Sequence, residues 1–137
     1  MNITKRYIQM CNAAKPIQES WFPRFGDYCW LGKEYLCIPD ACRIITESSE
    51  LIKLQYDRKE LVWLPQPGQI FKLLGGVTVE NLEKLVFVKK FYDSEFKNQK
   101  DLTFEELVLA TYMFDKHNKV WDGEKWVKNK NNQGVKK

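Results

Sequence analysis

Apolar residues recur every three or four positions over the first 20 residues, which is the spacing of one face of an α-helix. The series comprises Ile3, Tyr7, Met10, Cys11, Ala14 and Ile17. Thr4 or Asn2 is suited to cap the start of this helix, because each side-chain oxygen accepts a hydrogen bond from a terminal N–H group. Pro16 lacks an N–H, so we expect the helix to stop or kink there and to resume as far as Ser20.

The pattern changes to that of β-strands in the next part of the chain. Short runs rich in aromatic and β-branched residues occupy 28–31, 34–38, 41–46, 51–56 and 61–64. Turn-forming residues such as Gly32-Lys33 separate these runs. The pattern therefore predicts an antiparallel meander of four or five strands. Gly26 and Pro39 provide bends, so we expect the meander to be curled or barrel-like.

Two helices are predicted after this sheet. The first covers 69–74 and ends at Gly75-Gly76, where a left-handed residue is favourable. The second begins at Thr78, a good N-cap residue. Its apolar side chains occupy more than one face, which predicts a helix buried over much of its circumference; they are Leu82, Leu85, Val86, Phe87, Val88, Phe91 and Tyr92. The polar stretch 93–101 is expected to be the longest loop.

The last helix and the segment after it carry the strongest local signals. Thr103 and Glu106 have the spacing of a capping box, which predicts a helix that begins at residue 104. Asp122-Gly123 lies between β-forming residues, a sequence typical of a hairpin turn. The hairpin would place Trp121 opposite Trp126.

Together these elements predict an α+β fold. Its order is an N-terminal helix, the four- to five-stranded antiparallel meander, two to three helices and a C-terminal β-hairpin. We expect residues 1–128 to form a single globular domain, because 137 residues are close to the usual length of one domain. Residues 129–137 carry lysines and almost no large apolar side chain, which predicts a disordered basic tail.

The net charge of +4 is concentrated at the C-terminal end of the chain. Residues 116–137 contain seven lysines and only two acidic residues, whereas the rest of the chain is nearly neutral. Only four of the 22 cationic residues are arginine, the residue that makes bidentate contacts with phosphate or guanine. The composition therefore gives weak support to nucleic-acid binding and favours a solvated lysine surface.

No catalytic or metal-binding motif stands out. The four cysteines, at positions 11, 29, 37 and 42, contain no Cys-x-x-Cys pair, so we expect buried, reduced thiols rather than a zinc site. The single histidine, His117, falls at a predicted helix end, where imidazole commonly contacts the last carbonyls. No glycine-rich phosphate loop is present. We predict no cofactor, no metal and no catalytic residues.

Aromatic residues are the most unusual part of the composition, with five tryptophans in 137 residues. Trp21, Trp30 and Trp63 are expected to lie in the core, because they occur in or beside predicted elements of the sheet. For Trp121 and Trp126 in the terminal hairpin, the core is slightly favoured, and one ring face left open for a partner is the alternative. The candidate interaction surface consists of Trp121, Lys125, Trp126 and Lys128.

Several motifs resemble a group of small uncharacterised proteins encoded by phages and prophages of Gram-positive and Bacteroides-type bacteria. The motifs are Tyr-Ile-x-x-Cys at 7–11, Ile17-Gln18, Trp21-x-Pro23-x-x-Gly26-Asp27, Trp63-Leu64-Pro65 and residues 119–127. The resemblance implies a phage or prophage setting. It implies no activity and no binding residues.

These observations favour a non-enzymatic phage accessory protein that acts by binding another protein, such as a host factor or a defence component. An accessory nucleic-acid-binding protein that uses the lysine-rich C-terminus is the alternative, and a small enzyme without a recognisable motif is the third possibility. No apolar run approaches the roughly 20 residues of a membrane span and no signal peptide is evident, so we expect a cytoplasmic protein with no membrane partner. Both a monomer and a homodimer remain open.

Overall fold

The computed structural model describes residues 3–22, 24, 26–30, 42–44, 62–99 and 101–129. The chain divides into two compact units, one comprising Ile3–Pro65 and the other beginning at Gln66. The predicted strand runs 34–38 and 51–56 lie outside the described residues, as does the predicted tail apart from Asn129.

The first unit begins with two short helices, α1 (Lys5–Ala13) and α2 (Lys15–Glu19). Thr4 caps α1 as predicted, because its hydroxyl oxygen accepts a hydrogen bond of 2.9 Å from the N–H of Tyr7. The chain breaks at Ala14, and Pro16 lies in the first turn of α2, where its missing N–H costs no helical hydrogen bond. The break predicted at this proline is confirmed.

A small antiparallel sheet completes the first unit. Its strands are β1 (Tyr28–Trp30), β2 (Cys42–Ile44) and β3 (Val62–Trp63), in the order β2-β1-β3. Cys29 lies opposite both Arg43 and Trp63 in the register. The predicted four- to five-stranded meander, curled or barrel-like, is wrong for the described residues, because β1 is the central strand of three and pairs with two segments distant in sequence.

Side chains of the two helices hold β3 in place. The Gln18 carboxamide accepts a hydrogen bond from the N–H of Trp63 at 2.8 Å and donates to the Trp63 carbonyl at 2.9 Å. The Tyr7 hydroxyl donates to the carbonyl of Pro65 just beyond this strand. These hydrogen bonds join both helices to β3 and the residue pair that follows it, all within the first unit.

Buried aromatic side chains fill this core. Trp21, Trp30 and Trp63 are all buried, which confirms the prediction for these three residues. The rings of Trp21 and Trp63 stack with centroids 6.1 Å apart, and the indole N–H of Trp21 donates to the Asp27 carboxylate at 2.9 Å. Cys11 and Cys29 are fully buried, as expected for thiols that act as small apolar residues.

Three helices dominate the second unit: α3 (Pro67–Leu74), α4 (Val79–Glu95) and α5 (Phe104–His117). Gly75 ends α3 with a left-handed φ of 104°, as the sequence predicts. The Thr103 and Glu106 side chains form the predicted capping box at the start of α5. Helix α5 packs against both α3 and α4, so it is the centre of this unit.

The stretch 93–101 is more ordered than the sequence predicts. Helix α4 continues through Glu95, and a 3₁₀ turn covers Lys97–Gln99. The prediction of one long loop is therefore wrong for most of these residues. Ring contacts explain the extension, because Phe96 packs against both Phe91 and Tyr92 and keeps the end of the helix in contact with the core.

The C-terminal hairpin forms as predicted from β4 (Lys119–Trp121) and β5 (Trp126–Lys128). Asn118 ends α5 in the left-handed conformation with a φ of 52°, which turns the chain directly into β4. The N–H of Asn129 donates to the Asn118 carbonyl at 2.9 Å and continues the hydrogen-bonded pairing by one residue.

Candidate interaction surface

Helix α4 carries apolar side chains on two opposite faces, one buried and one exposed. On one face, Val88, Phe91 and Tyr92 are buried. The Phe91 ring lies 5.2 Å from the ring of Phe114 on α5, centroid to centroid. This face forms the contact with α5 and part of the core of the second unit.

The opposite face of α4 exposes apolar side chains to solvent. Val79 is 72% exposed, Leu82 is 42% exposed and Val86 is 54% exposed. These residues have the i, i+3, i+7 spacing of a single helix face, which lies about 180° from Val88 at about 100° per residue. The prediction that α4 is buried over much of its circumference is therefore wrong.

Further exposed apolar side chains lie near this stripe in the sequence. Leu73 near the end of α3 and Val77 before α4 are exposed, and Phe87 is partly exposed while its ring packs against that of Phe114, with centroids 5.8 Å apart. We call these six residues the α4 surface: Leu73, Val77, Val79, Leu82, Val86 and Phe87. They are six of the eight large apolar side chains that are exposed among the described residues, so exposure of this kind is concentrated in one short segment.

Charged residues of both signs occur in each half of α4. Its amino-terminal half carries Glu80, Glu83 and Lys84, and its carboxyl-terminal half carries Lys89, Lys90, Asp93 and Glu95. Lys89 is already engaged in an ion pair of 2.6 Å with Asp93. Glu83 and Lys90 are both exposed, and within the part of the chain that the structure describes neither forms an ion pair. Each remains available for a charged partner.

The start of α4 is held firmly. The Thr78 hydroxyl oxygen caps the helix by accepting from the N–H of Asn81 at 3.1 Å. The Asn81 amide group then donates to the carbonyls of Leu74 and Gly76, at 3.2 and 2.8 Å. These bonds fix the turn between α3 and α4, so the apolar side chains of the α4 surface project from a preorganised backbone.

An ion pair fixes the helix further along. The Lys84 ammonium group lies 3.3 Å from the Asp115 carboxylate on α5 and 3.6 Å from Glu80. The Lys84 and Asp115 side chains are mostly buried, which strengthens their attraction relative to that of a fully exposed pair. The orientation of α4 about its own axis is thus set by a contact on the face away from the exposed stripe.

The four residues of the sequence-predicted surface have different environments in the hairpin. Trp121 is fully buried, Trp126 is half-buried, and Lys125 and Lys128 are exposed. The two indole rings meet edge to face with centroids 5.2 Å apart. Three of the four residues thus retain exposed surface. Their role in binding stays a prediction.

Three titratable groups of the second unit have shifted pKa values. The Tyr92 hydroxyl oxygen accepts a hydrogen bond from the N–H of Trp121, and burial raises the pKa of Tyr92 well above its usual range. Burial also raises the pKa of Tyr112, whose ring packs against His117 at 5.4 Å. Two backbone N–H groups that donate to the Asp122 carboxylate lower the pKa of that group.

No metal centre is visible in the described part of the chain. Those residues contain no group of three or more His, Cys, Asp and Glu side chains that could hold a metal ion. Cys37 lies outside them, as does the side chain of Cys42.

Comparisons with protein-family models, curated proteins and solved structures give no match to the chain. The resemblance to phage and prophage proteins accordingly stays a prediction. Among the described residues, no helix combines the length and the apolar character needed to cross a membrane.

Proposed function

We propose that this chain is a non-enzymatic accessory protein that acts by binding another protein through the α4 surface. The observation that carries the proposal is the exposed stripe of Val79, Leu82 and Val86 on a helix whose opposite face packs in the core. Contiguous exposed apolar residues on a folded unit are typical of a protein-binding site.

The energetics favour coverage of this stripe. Burial of a whole leucine or valine side chain contributes about 1.5 to 3 kcal/mol, so covering the roughly half-exposed Leu82 and Val86 contributes about 0.6 to 1.6 kcal/mol each. Little rearrangement is needed, because Thr78, Asn81 and Lys84 already fix the helix. A preorganised surface loses less conformational entropy when it binds.

The shape of the stripe indicates the kind of partner. A single line of apolar residues at i, i+3 and i+7 matches the apolar face of one amphipathic helix. The partner helix is expected to carry a basic group near Glu83 and an acidic group near Lys90, since both charges are exposed and available. We therefore propose an amphipathic helix with this charge arrangement as the bound element.

Site-specific photo-cross-linking tests the proposal. The full chain carrying p-benzoylphenylalanine at position 83, beside the stripe, is irradiated in nuclease-treated bacterial lysate. Position 124 in the exposed hairpin turn provides the matched control site. We expect a cross-link from position 83, but not from 124, to an amphipathic helical segment, and we expect Val86→Glu to abolish it. A cross-link from 124 alone, or none from 83, would overturn the proposal.

Nucleic-acid binding is a second candidate function, favoured by one feature of the hairpin. Lys119 and Lys128 lie directly opposite each other in the register, and both are exposed. Like charges in that position repel, and a bound phosphate group would relieve the repulsion. Trp126 shares this face and is only half-buried.

Salt dependence tests this second candidate. Phosphate contacts release counterions, so binding of a single-stranded oligonucleotide must weaken steeply between about 50 and 200 mM salt. We expect Lys119→Ala together with Lys128→Ala to remove that dependence. Absence of binding at low salt, or binding unaffected by salt, would exclude nucleic acid as the partner of the hairpin.

The cellular setting forms part of the proposal. We propose a location in the cytoplasm of a bacterial host, and the sequence motifs support an origin in a phage or prophage. Within that setting, a small binding protein of this kind acts on a host factor or a defence component.

A further inference from the structure

The hairpin turn contains Asp122-Gly123, a pair of residues that can react with each other. Glycine has no side chain to obstruct attack by its backbone nitrogen on the carboxyl carbon of a preceding aspartate. This is the only Asp-Gly pair in the chain, and the chain has no Asn-Gly pair. We infer that Asp122 is a site of isoaspartate formation that the folded turn restrains, so that the modification follows opening of the hairpin.

The reaction needs no reagent other than water. The backbone nitrogen of Gly123 forms a bond to the carboxyl carbon of protonated Asp122, the bond from that carbon to its hydroxyl oxygen breaks, and the hydroxyl group leaves with the nitrogen's proton as water. Water then opens the resulting succinimide ring. Addition at the side-chain carbonyl restores aspartate, whereas addition at the main-chain carbonyl of Asp122 gives isoaspartate. The main chain then runs through the Cβ and Cγ atoms and is one carbon atom longer.

The attacking group is available in the structure. The backbone N–H of Gly123 forms no hydrogen bond within the part of the chain that the structure describes. Gly123 has a φ of 109°, a conformation that glycine adopts readily. Water also reaches the turn, because Glu124 and Lys125 are both exposed. The nitrogen and the water are therefore in place, and the carboxyl group is the component that the fold restrains.

Two hydrogen bonds restrain the carboxyl group. The Oδ1 atom of Asp122 accepts from the N–H of Glu124 at 2.8 Å and from the N–H of Lys125 at 2.9 Å. These bonds favour the ionised carboxylate and lower the pKa of Asp122. The ionised form does not react with the amide nitrogen, because loss of water requires a protonated oxygen. The folded turn therefore holds a smaller fraction of Asp122 in the reactive form than the open turn does.

The 3₁₀ turn over Lys97–Gln99 restrains the glycine. A Cβ atom at Gly123 would lie 3.2 Å from the Nε2 atom of Gln99 and 3.8 Å from the Nδ2 atom of Asn98, so the glycine packs closely against this turn. The Gln99 side chain is itself buried. Ring closure rotates the peptide between Asp122 and Gly123 and shifts the glycine. Because Gln99 leaves little space for that shift, ring closure requires the hairpin turn to move away from the 3₁₀ turn.

Isoaspartate at position 122 changes the hairpin after it forms. Trp121 and Trp126 face each other on either side of the turn, with ring centroids 5.2 Å apart. An additional main-chain carbon atom between them displaces one tryptophan relative to the other. The N–H of Trp121 is bonded to the Tyr92 hydroxyl, so the displacement falls on β5. The modification therefore weakens the pairing of β5 with β4 and leaves a lasting mark of earlier hairpin opening.

Ageing of the purified full chain at mildly acidic pH tests the site. Peptide mapping with electron-transfer fragmentation distinguishes isoaspartate from aspartate at position 122. We expect isoaspartate to accumulate on the order of tenfold faster in the chain unfolded by guanidinium chloride than in the folded chain, because the folded chain reacts only when the turn opens. Equal rates in the two states would overturn the restraint, and absence of isoaspartate from the unfolded chain would overturn the site.

A variant that loosens the hairpin tests the link to opening. Tyr92→Phe removes the acceptor that holds the N–H of Trp121, so we expect isoaspartate at position 122 to form about tenfold faster in this folded variant than in the wild type. Tyr112→Phe is the matched control, because the Tyr112 hydroxyl lies beside His117 and makes no contact with the hairpin among the described residues. Circular dichroism verifies that both variants are folded. Equal rates in the two variants would overturn the link.

Discussion

The backbone N–H of Trp121 donates to the hydroxyl oxygen of Tyr92 across 2.8 Å, although the two residues are 29 positions apart. Tyr92 lies on the buried face of α4 and Trp121 at the end of β4, so this bond joins the helix to the hairpin. Both side chains are completely buried. An isolated two-stranded hairpin is only marginally stable in water, and this contact attaches the hairpin to a larger core.

Tyr92→Phe should destabilise the protein by about 1 to 3 kcal/mol, because it leaves the N–H of Trp121 buried without its acceptor. Urea denaturation followed by tryptophan fluorescence measures the change. Tyr112→Phe is the control, since Tyr112 is half-buried and its hydroxyl lies 3.5 Å from His117. Equal losses of unfolding free energy in the two variants would show that the hydrogen bond to Trp121 does not stabilise the protein.

Stability should decline as the pH rises above about 10. Burial raises the pKa of Tyr92 in the folded protein, whereas in the unfolded chain it returns to its ordinary value near 10. Above that pH the unfolded state releases a proton that the folded state retains, so ionisation favours unfolding. We expect Tyr92→Phe to flatten the dependence of the unfolding free energy on pH between about 9 and 11. The same slope in wild type and variant would contradict this assignment.

Gln18→Ala should destabilise the first unit by about 2 to 3 kcal/mol. The carboxamide of Gln18 bonds to the N–H and carbonyl of Trp63 and also donates to the carbonyl of Cys11 at 3.0 Å, and alanine removes all three contacts. Gln9→Ala is a matched control, because Gln9 is an exposed glutamine on α1. Thermal denaturation compares the variants. Similar melting temperatures for both would refute the structural role of Gln18.

Substitution of valine by threonine distinguishes the two faces of α4. Val88→Thr should cost about 1 to 2 kcal/mol, because it buries a hydroxyl group, whereas Val86→Thr should change the unfolding free energy by less than about 0.5 kcal/mol. The measurement is urea denaturation at a protein concentration low enough to keep the chain monomeric. A large loss from Val86→Thr under those conditions would mean that the exposed stripe is covered within the chain itself.

Thr103→Ala should cost about 1 kcal/mol, because the N–H of Glu106 loses the hydroxyl acceptor that lies 3.2 Å away. Glu106 is completely buried, so its part in the capping box is shielded from solvent. Thr103→Ser retains the hydroxyl group and should keep most of the stability. Chemical denaturation of the two variants tests the prediction, and a serine variant as unstable as the alanine variant would contradict it.

Features set by neighbouring residues could be predicted from the sequence. Thr4 and Thr103 cap their helices because a hydroxyl and the N–H three residues later are always close at a helix start. Gly75 and Asn118 end helices because they tolerate a left-handed backbone. Asp122-Gly123 forms the hairpin turn because Gly123 adopts a positive φ and the Asp122 carboxylate accepts from the N–H groups of the next turn residues. Each of these signals depends on only a few consecutive residues.

Features set by distant residues could not be predicted in the same way. Both faces of α4 are apolar, and the position of α5 decides that Val88 is buried and Val86 is exposed. The candidate surface was visible in the sequence as the spacing of Val79, Leu82 and Val86, but periodicity cannot say which face a neighbour covers. Strand pairing has the same limit, because Cys29 pairs with residues 14 and 34 positions away.

The carboxamide of Gln18 has a consequence for the solubility of the first unit. The N–H of Leu64 donates to the carbonyl of Tyr28 on β1. Because the backbone N–H and C=O groups of successive strand residues point to opposite edges, those of Trp63 point away from β1, to the outer edge of β3. Gln18 occupies both of those groups, as an additional strand would. An edge strand left open invites other chains to add to it, and one glutamine here blocks that route to aggregation.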